Sequence, residues 1–391
     1  MNGMPDEADA VRAPVDLALS REKIDAIDAR LIELFEDRMR IAADVAAYKR
    51  SKNLPVLDRE REMRKIESAE SSASDEFRQY MAPLFGFIME MSRAYQHGLL
   101  ADGNEIRVEA DRIDSLPVGP KVACQGVTGA YSHIASTAFF PKGDLVFCDS
   151  WSKACDFLHT GEADYVVLPL ENSTAGTVNR VYDLLVQRGL FVVASLSLRI
   201  DHALLAKDGC GIDDIREIFS HEQALRQCDG FISKLSDGVH ATVCENTAMA
   251  AQRVAQDSRR DVAAIASPVC ADLYGLSVIV DAIQDESDNF TRFICAACTP
   301  QMTEDADRSS FFLVLPHEPG SLHRVLARIA ALGANLLKLE SRPIPGKRFE
   351  FMFYVDIASV PGDGVFDDIV SQVAPLCDEF RYLGSYRELF R

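Results

Sequence analysis

The sequence predicts three architectures in series: an all-α helical arm over residues 15–100, an α/β region in two lobes over 121–299, and a smaller α+β domain over 309–391. Residues 101–120 read as a linker. Three observations carry this. Leu17 to Arg50 contains no Gly or Pro and repeats apolar residues at helical spacing. From Lys121 to Phe293, short apolar runs that end in polar or Gly-bearing loops alternate with helix-length segments. Beyond Arg308 the runs follow the order strand, helix, strand, strand, helix, strand.

Length and charge bound the function. At 391 residues the chain has room for two to four domains. Its net charge of -19 argues against general binding to nucleic acid or anionic membrane, so any anionic substrate must meet local, pre-placed cations. Met1 to Pro14 is polar and acidic, unlike a secretory signal. No run approaches the ~20 apolar residues of a membrane span. Ten scattered cysteines fit a reducing cytoplasm, and the lone pair Cys295 and Cys298 reads as small apolar side chains rather than a metal or redox site.

In the first helix Ile24, Ile27, Leu31, Leu34, Phe35, Ile41, Ala42 and Val45 form one stripe. Arg38 and Lys49 fall about 20° apart near the middle of it, at ~100° per residue. A buried, unpaired cation costs several kcal/mol, so this face meets either carboxylates of neighbouring helices or an anionic ligand. Arg21 points roughly 100° away, toward a different partner. A helix of this length runs ~50 Å, too long for two shorter helices of the same chain to cover. Dimerisation is the natural remedy. After a break at Pro55, Asp58 can cap a second helix, with Asp58, Arg61 and Glu62 on one face. A third helix from about Glu76 to Leu100 places Ser92 and Gln96 in line with Leu84 and Ile88, so polar groups again interrupt an apolar stripe. An internal network in which Glu62 and Asp58 answer Lys49 and Arg38 is the alternative to a ligand.

Arg-Glu-Lys-Ile at 21–24, Arg38, Lys49, the Pro-Val-x-Asp-x-x-Arg-Glu run from Pro55 to Glu62, Ser92 and Gln96 resemble the all-helical chorismate mutase family. The resemblance implies an intertwined dimer. Arg38 and the other subunit's Arg21 would hold the substrate carboxylates, with Ser92 assisting. Lys49 and Gln96 would donate to the ether oxygen. Glu62 and Asp58 would take the ring hydroxyl, and Arg61 belongs to the same matched run. A Claisen rearrangement needs a folded substrate and a stabilised ether oxygen, without nucleophile or cofactor.

In the middle region Lys121 to Gln125 predicts a strand, Gly126 to Tyr131 a turn, and Ser132 the cap of a helix, without G-x-G-x-x-G or a P-loop Lys. Tyr165 to Leu170 predicts a strand ending at Pro169. The polar residues Glu171 to Asn179 then predict an anion cradle of hydroxyls and N–H groups at a helix start. Ile218 to Gln223, before a helix with Gln227, repeats the pattern, and Ala263 to Ala266 ends at Ser267. Two parallel sheets with ligand loops at their carboxyl ends, facing across a cleft, follow from this alternation. In Asn289-Phe290-Thr291-Arg292-Phe293 the strand period sets Thr291 and Phe293 opposite Arg292.

Gly129-Ala130-Tyr131-Ser132, Glu171-Asn172-Ser173, Ser220-His221, Ala266-Ser267, Tyr274-Gly275-Leu276 and Asn289 to Phe293 resemble prephenate dehydratase. The start common in that family, Leu-Gly-Pro, is replaced here by Ala123-Cys124-Gln125-Gly126. The resemblance implies a periplasmic-binding-protein-like fold, Thr291 as the residue of catalysis, and Asn172, Ser173, Ser220, Gln227 and Arg292 in the prephenate site. A Thr hydroxyl is a weak acid, so Thr291 reads as a positioned donor or relay. Glu171, His133 and His221 are nearby candidates for proton work.

After the polar stretch Thr299 to Arg308, strands at Ser310–Leu315, Asn335–Arg342, Phe349–Ile357 and near Phe380–Leu383 and helices at Pro319–Leu332 and Val365–Val373 make a ferredoxin-like pattern. Glu318-Pro319-Gly320-Ser321-Leu322 and Glu340-Ser341-Arg342-Pro343 resemble an ACT amino-acid-sensing domain. Relatives carry Gly-Ala-Leu-Val where Gly320-Ser321-Leu322-His323 stands here. The resemblance implies phenylalanine bound by Gly320, Ser321, Leu322, Asn335, Glu340, Ser341 and Arg342 between two such domains; a plain dimerisation module is the alternative. The whole reads as a cytoplasmic bifunctional enzyme. It would convert chorismate to prephenate and prephenate to phenylpyruvate, with phenylalanine feedback, no cofactor or metal, and a homodimer or higher homo-oligomer as its assembly. The rivals are a dehydratase whose arm only dimerises and a non-catalytic amino-acid sensor.

Overall fold

A computed structural model describes residues 16–52, 54, 56–100, 108–235, 238–344 and 350–391. The readings of Met1 to Pro14, of Pro55 and of 101–107 lie outside the described residues. Two compact units result, Met1–Ile106 with His323–Ala331, and Arg107–Leu322 with Leu332–Arg391.

The first unit is helical. Leu17–Ser51 starts where Asp16 accepts from the N–H groups of Ala18 and Leu19 at 2.9 and 3.2 Å, and Lys49 and Arg50 in its last turn complement the helix dipole. Arg59–Ser72 starts at Asp58, whose carboxylate accepts from Arg61 N–H at 3.0 Å. Arg78–Leu100 completes the arm. Within one chain the long helix buries only Ala42 and Ala46. Ile24, Ile27, Leu31 and Leu34 are all more than half exposed, at 55, 58, 57 and 62%.

In the second unit a larger sheet runs in the order Glu388–Phe390, Phe191–Arg199, Phe290–Ala297, Tyr165–Asn172, Lys121–Gln125, Asp144–Cys148, with Gly176–Thr177 beside Tyr165–Asn172. A five-stranded sheet runs Ser277–Val280, Ala203–Ala206, Val262–Ala266, Glu217–Ser220, His240–Val243. Both are mixed, which corrects the expectation of parallel sheets. Phe290–Ala297 is antiparallel to both neighbours, and Ala203–Ala206 likewise. The reason is topological: the chain crosses from one sheet to the other at 200–202 and returns at 281–289, and the crossing strands run against the parallel core.

Two local expectations also change. Tyr165–Asn172 passes through Pro169 instead of ending there, because the ladder to Phe290–Ala297 shifts register between Arg292 and Phe293. A bulge tolerates a residue without an N–H. The next helix is Tyr131–Phe139, with Ala130 as N-cap and Ser132 inside it. His133 Nδ1, inside the helix, reaches back to accept from Gly129 N–H at 3.1 Å, the direction in which the inner residue of a capping box reaches back.

The four-stranded antiparallel sheet runs Leu336–Pro343, Phe351–Ile357, Arg308–Val314, Glu379–Tyr386. Its Phe312, Met352, Tyr354 and Tyr386 share one core cluster with Leu168, Tyr182, Leu185 and Ile294 of the larger sheet's region. Burying such side chains contributes about 1.5–3 kcal/mol each. Contact is close enough that a Cβ on Gly384 would lie 2.0 Å from Val192 O. Two pairings were not foreseen. The terminal strand Glu388–Phe390 joins Phe191–Arg199, and Asp111–Ile113 pairs with Gln301–Thr303, tying together two stretches that read as linkers. Among the described residues no helix is long and apolar enough to cross a membrane.

Candidate active sites

A cavity of about 330 Å³ opens among the three helices of the arm, lined by Arg38, Lys49, Asp58, Arg61, Glu62, Ser92, Arg93 and Gln96 over an apolar wall of Ile41, Ala42, Val45, Phe85 and Met89. Every polar side chain singled out on these helices lines it except Arg21. Arg21 is exposed on the same helix, 17 residues before Arg38 and so about 25 Å along the axis.

Among the described residues no hydrogen bond joins these acids to the cations of the stripe. Both oxygens of Glu62 are held by Arg93, which also binds Glu90, and Glu90 accepts from Arg328 at 2.7 Å. Lys49 Nζ donates to Val56 O at 2.5 Å. Arg38 Nη1 is buried without a hydrogen-bond partner. Burial pulls the Arg38 guanidinium below its ordinary pKa, against the opposing charge of Glu62. A buried donor left unmade costs about 1–3 kcal/mol, more when charged, and an anion entering the cavity recovers that. Gln96 Nε2 lies 3.2 Å from Ser92 O and 3.3 Å from Ser92 Oγ, while Gln96 Oε1 is buried and unpartnered. Arg93 was missed by the sequence reading. Its signal was present, since Met89, Ser92, Arg93 and Gln96 follow i, i+3, i+4, i+7 along one face.

A second cavity, about 400 Å³, is lined from both mixed sheets by residues including Tyr131, Asn172, His202, His221, Gln227 and Thr291. Asn172 organises it. Its Nδ2 donates to Asn289 Oδ1 at 2.8 Å, Phe290 O at 3.1 Å and Thr291 Oγ1 at 2.9 Å. Its Oδ1 accepts from the N–H groups of Thr174 and Ala175 and from Thr174 Oγ1. Gln227 Nε2 continues the chain to Thr174 Oγ1 at 3.0 Å, and Gln227 Oε1 meets His202 Nε2 at 3.1 Å. Tyr131 donates to Asp201 O at 2.5 Å, and burial holds its phenol well above the ordinary pKa. Burial also lowers the pKa of His202, against the Gln227 bond and Asp201, and that of His133 and His221. A neutral His202 uses Nε2–H to donate to Gln227 Oε1. Thr174 was expected as one hydroxyl of the polar run 171–179, whereas His202 was not foreseen; its signal was a lone His between two apolar strands, at the first crossing between sheets.

Other predicted residues lie elsewhere. The hydroxyls of 171–179 do not open a helix: Asn172 ends a strand, and the helix Asn179–Arg188 has Val178 as an N-cap without a side-chain bond. Ser173 Oγ donates to Asp288 O and accepts from Phe290 N–H, and buried Ser220 donates to Ile265 O at 2.6 Å, so neither lines the cavity. Arg292 is corrected from a ligand of substrate to a buried ion partner of Asp356, because strand alternation sends it to the face opposite Thr291. Glu171 follows it there, paired with Lys338 and Arg292. His221, by contrast, stays in the cavity wall while its side chain caps the helix Glu222–Gln227.

In the C-terminal sheet Glu340, Ser341 and Arg342 lie on the edge strand Leu336–Pro343. Arg342 binds Asp183 and, at 2.7 Å, Asn179 O, while Ser341 takes the opposite, exposed face. Ser321 begins the helix Ser321–Ala331 directly after Gly320, with Leu322 next, and Asn335 precedes the edge strand.

Fold and cavities describe a chain with two separate small-molecule pockets, one helical and cation-lined, one lined from both mixed sheets with an amide-anchored hydroxyl. The chorismate mutase type II family matches residues 20–97 and the prephenate dehydratase family residues 122–300. The bifunctional chorismate mutase/prephenate dehydratase of Escherichia coli (strain K12) is 31% identical over 375 residues, 94% of this chain and 95% of that protein. Arogenate dehydratase/prephenate dehydratase 2, chloroplastic, of Arabidopsis thaliana is 36% identical over 277 residues, 68% of this chain and 72% of that protein. The solved prephenate dehydratase from Arthrobacter aurescens, in complex with L-Phe, is 27% identical with a TM-score of 0.63, over 68% of this chain and 89% of that one. The chain belongs to the bifunctional chorismate mutase/prephenate dehydratase family. It rearranges chorismate to prephenate and converts prephenate to phenylpyruvate.

Proposed function

We propose that the arm's cavity rearranges chorismate and the cavity between the mixed sheets dehydrates prephenate, with these residues in these roles. In the first, Arg38 takes a substrate carboxylate and Lys49 the ether oxygen as its C–O bond lengthens. A half-turn of the Gln96 amide lets its Oε1 accept from Ser92 and sends an N–H to the same oxygen. Glu62, oriented by Arg93, and Asp58 face the ring hydroxyl; Arg61 adds positive charge at the rim. The observation that carries this reading is the buried Arg38 Nη1 without a partner on a wall of apolar side chains.

In the second, Thr291 Oγ1 already accepts from Asn172, so its own proton is directed at the cavity. It relays a proton to the departing ring hydroxyl, which leaves as water, and is itself reprotonated from solvent in the cavity, while the ring carboxylate, in a less polar pocket, leaves as carbon dioxide. Gln227 and His202 hold Thr174 and Asn172 in place. The two mixed sheets act as two lobes with substrate between them.

Residues 309–391 act as an ACT domain that senses phenylalanine through Gly320, Ser321, Leu322, Asn335, Glu340 and Ser341, consistent with the βαββαβ order and with a phenylalanine-bound relative. Arg342 serves the contact with Asp183 instead. The uncovered stripe of the long helix fits a second copy, whose Arg21 completes the first cavity. A cytoplasmic location accords with ten free thiols.

The test is purified protein fed chorismate, following prephenate and phenylpyruvate with and without phenylalanine. Both products appear, and phenylalanine lowers the second. Persistence of full rate at saturating phenylalanine removes the sensor from this reading.

A further inference from the structure

We propose that Arg292 and Asp356 are a positioning pair for Thr291, through which the C-terminal four-stranded sheet sets dehydratase turnover without touching substrate. This rests on the reading of Thr291 as the donor. Thr291 stands opposite Asn172 in the antiparallel ladder, and Arg292 opposite Glu171. One pair faces the cavity. The other faces the C-terminal sheet. Directly after Arg292 the ladder to Tyr165–Asn172 slips register, so on that edge the regular backbone bonds are interrupted beside the donor, while the ladder to Phe191–Arg199 continues to Cys295.

A side-chain anchor supplements that weakened edge. Arg292 Nε donates to Ser195 Oγ at 3.0 Å, Nη1 to Asp356 Oδ2 at 3.1 Å and Glu171 Oε1 at 3.3 Å, and Nη2 to Tyr386 OH at 2.8 Å. Ser310 Oγ bridges Asp356 Oδ1 and Tyr386 OH at 2.5 and 2.6 Å. Arg292, Asp356, Ser310 and Tyr386 are all buried. Three cations, Arg292, Arg308 and Lys338, meet four carboxylates, Glu171, Asp356, Glu388 and, at the rim, Asp307. A buried guanidinium cannot drop a partner cheaply, so displacement of Asp356 with its sheet drags the Arg292 backbone. Thr291 is the adjacent residue. A misplacement of about 1 Å can cost a reaction ~10²-fold.

The test measures both activities of the full-length protein, with the urea unfolding transition of the dehydratase unit as the check that each variant is folded, since the helical arm is a separate compact unit. Asp356→Asn should lower dehydratase kcat by roughly 10- to 100-fold while KM for prephenate stays within about threefold. Arg292→Lys, which keeps the charge, should retain more turnover than Arg292→Met. Tyr386→Phe, which removes one hydroxyl, supplies a milder variant should the others fail to fold, and its kcat should fall about fivefold. Unchanged kcat in Asp356→Asn and Tyr386→Phe, or a rise in KM alone, overturns the proposal. Thr291→Val is run alongside: its full activity would overturn the donor reading itself, whereas its loss beside an active Asp356→Asn would overturn only the positioning pair.

Discussion

Asn172 donates to Thr291 Oγ1 across 2.9 Å from the position directly opposite it in the ladder. That bond leaves the threonine its own proton to give, and the amide is held in this orientation because its carbonyl end accepts from two backbone N–H groups.

Loss of either partner should therefore act on the chemical step. Thr291→Val and Asn172→Ala should each lower dehydratase kcat by ~10²–10³-fold, the range seen when a transition-state donor is removed. Mutase turnover in the same preparations should be unaltered. An Asn172→Ala enzyme with normal kcat would show that Thr291 needs no such support.

In the arm, Arg38→Met should cost at least ~10²-fold in mutase kcat/KM, and Lys49→Ala should abolish chorismate consumption, with prephenate turnover preserved in both. Because Arg38 Nη1 has no internal partner, Arg38→Met should also leave thermal stability unchanged or raised. A marked drop in melting temperature would place Arg38 in a structural network instead.

Arg21 lies too far along its helix to serve the cavity of its own chain. Mixing Arg21→Ala with Arg38→Ala protein should restore roughly a quarter of wild-type mutase activity, since half of randomly paired dimers carry one intact site of two. No recovery on mixing, with exchange of chains verified by mass, would mean that Arg21 serves no partner. Ile27→Glu with Leu31→Glu should lower the assembly state by sedimentation.

Burial depresses the pKa of His133, His202 and His221 below 6.5. The unfolded chain then binds protons at a higher pH than the folded one, so stability is full above about 6.5 and falls as pH drops from there toward the depressed values. Urea midpoints of the dehydratase transition should decline from pH 7 to pH 5. His202→Gln should flatten that decline, and an unchanged slope would show that His202 takes up a proton freely in the folded state.

What the sequence determined by itself is what a short-range period can encode. Helical spacing set Arg38 and Lys49 on one face of the first helix and Ser92 and Gln96 on one face of the third, and the strand period separated Thr291 from Arg292. Spacing could not say which acid answers which base. Glu62 binds Arg93, 31 positions on, rather than Arg38, and Arg292 meets Asp356, 64 positions on, rather than a substrate carboxylate. His202 joins Gln227 only because two sheets converge at the crossing. Periodicity is a property of one element, whereas the partner of a buried charge depends on how separate elements pack, and only the tertiary structure decides that.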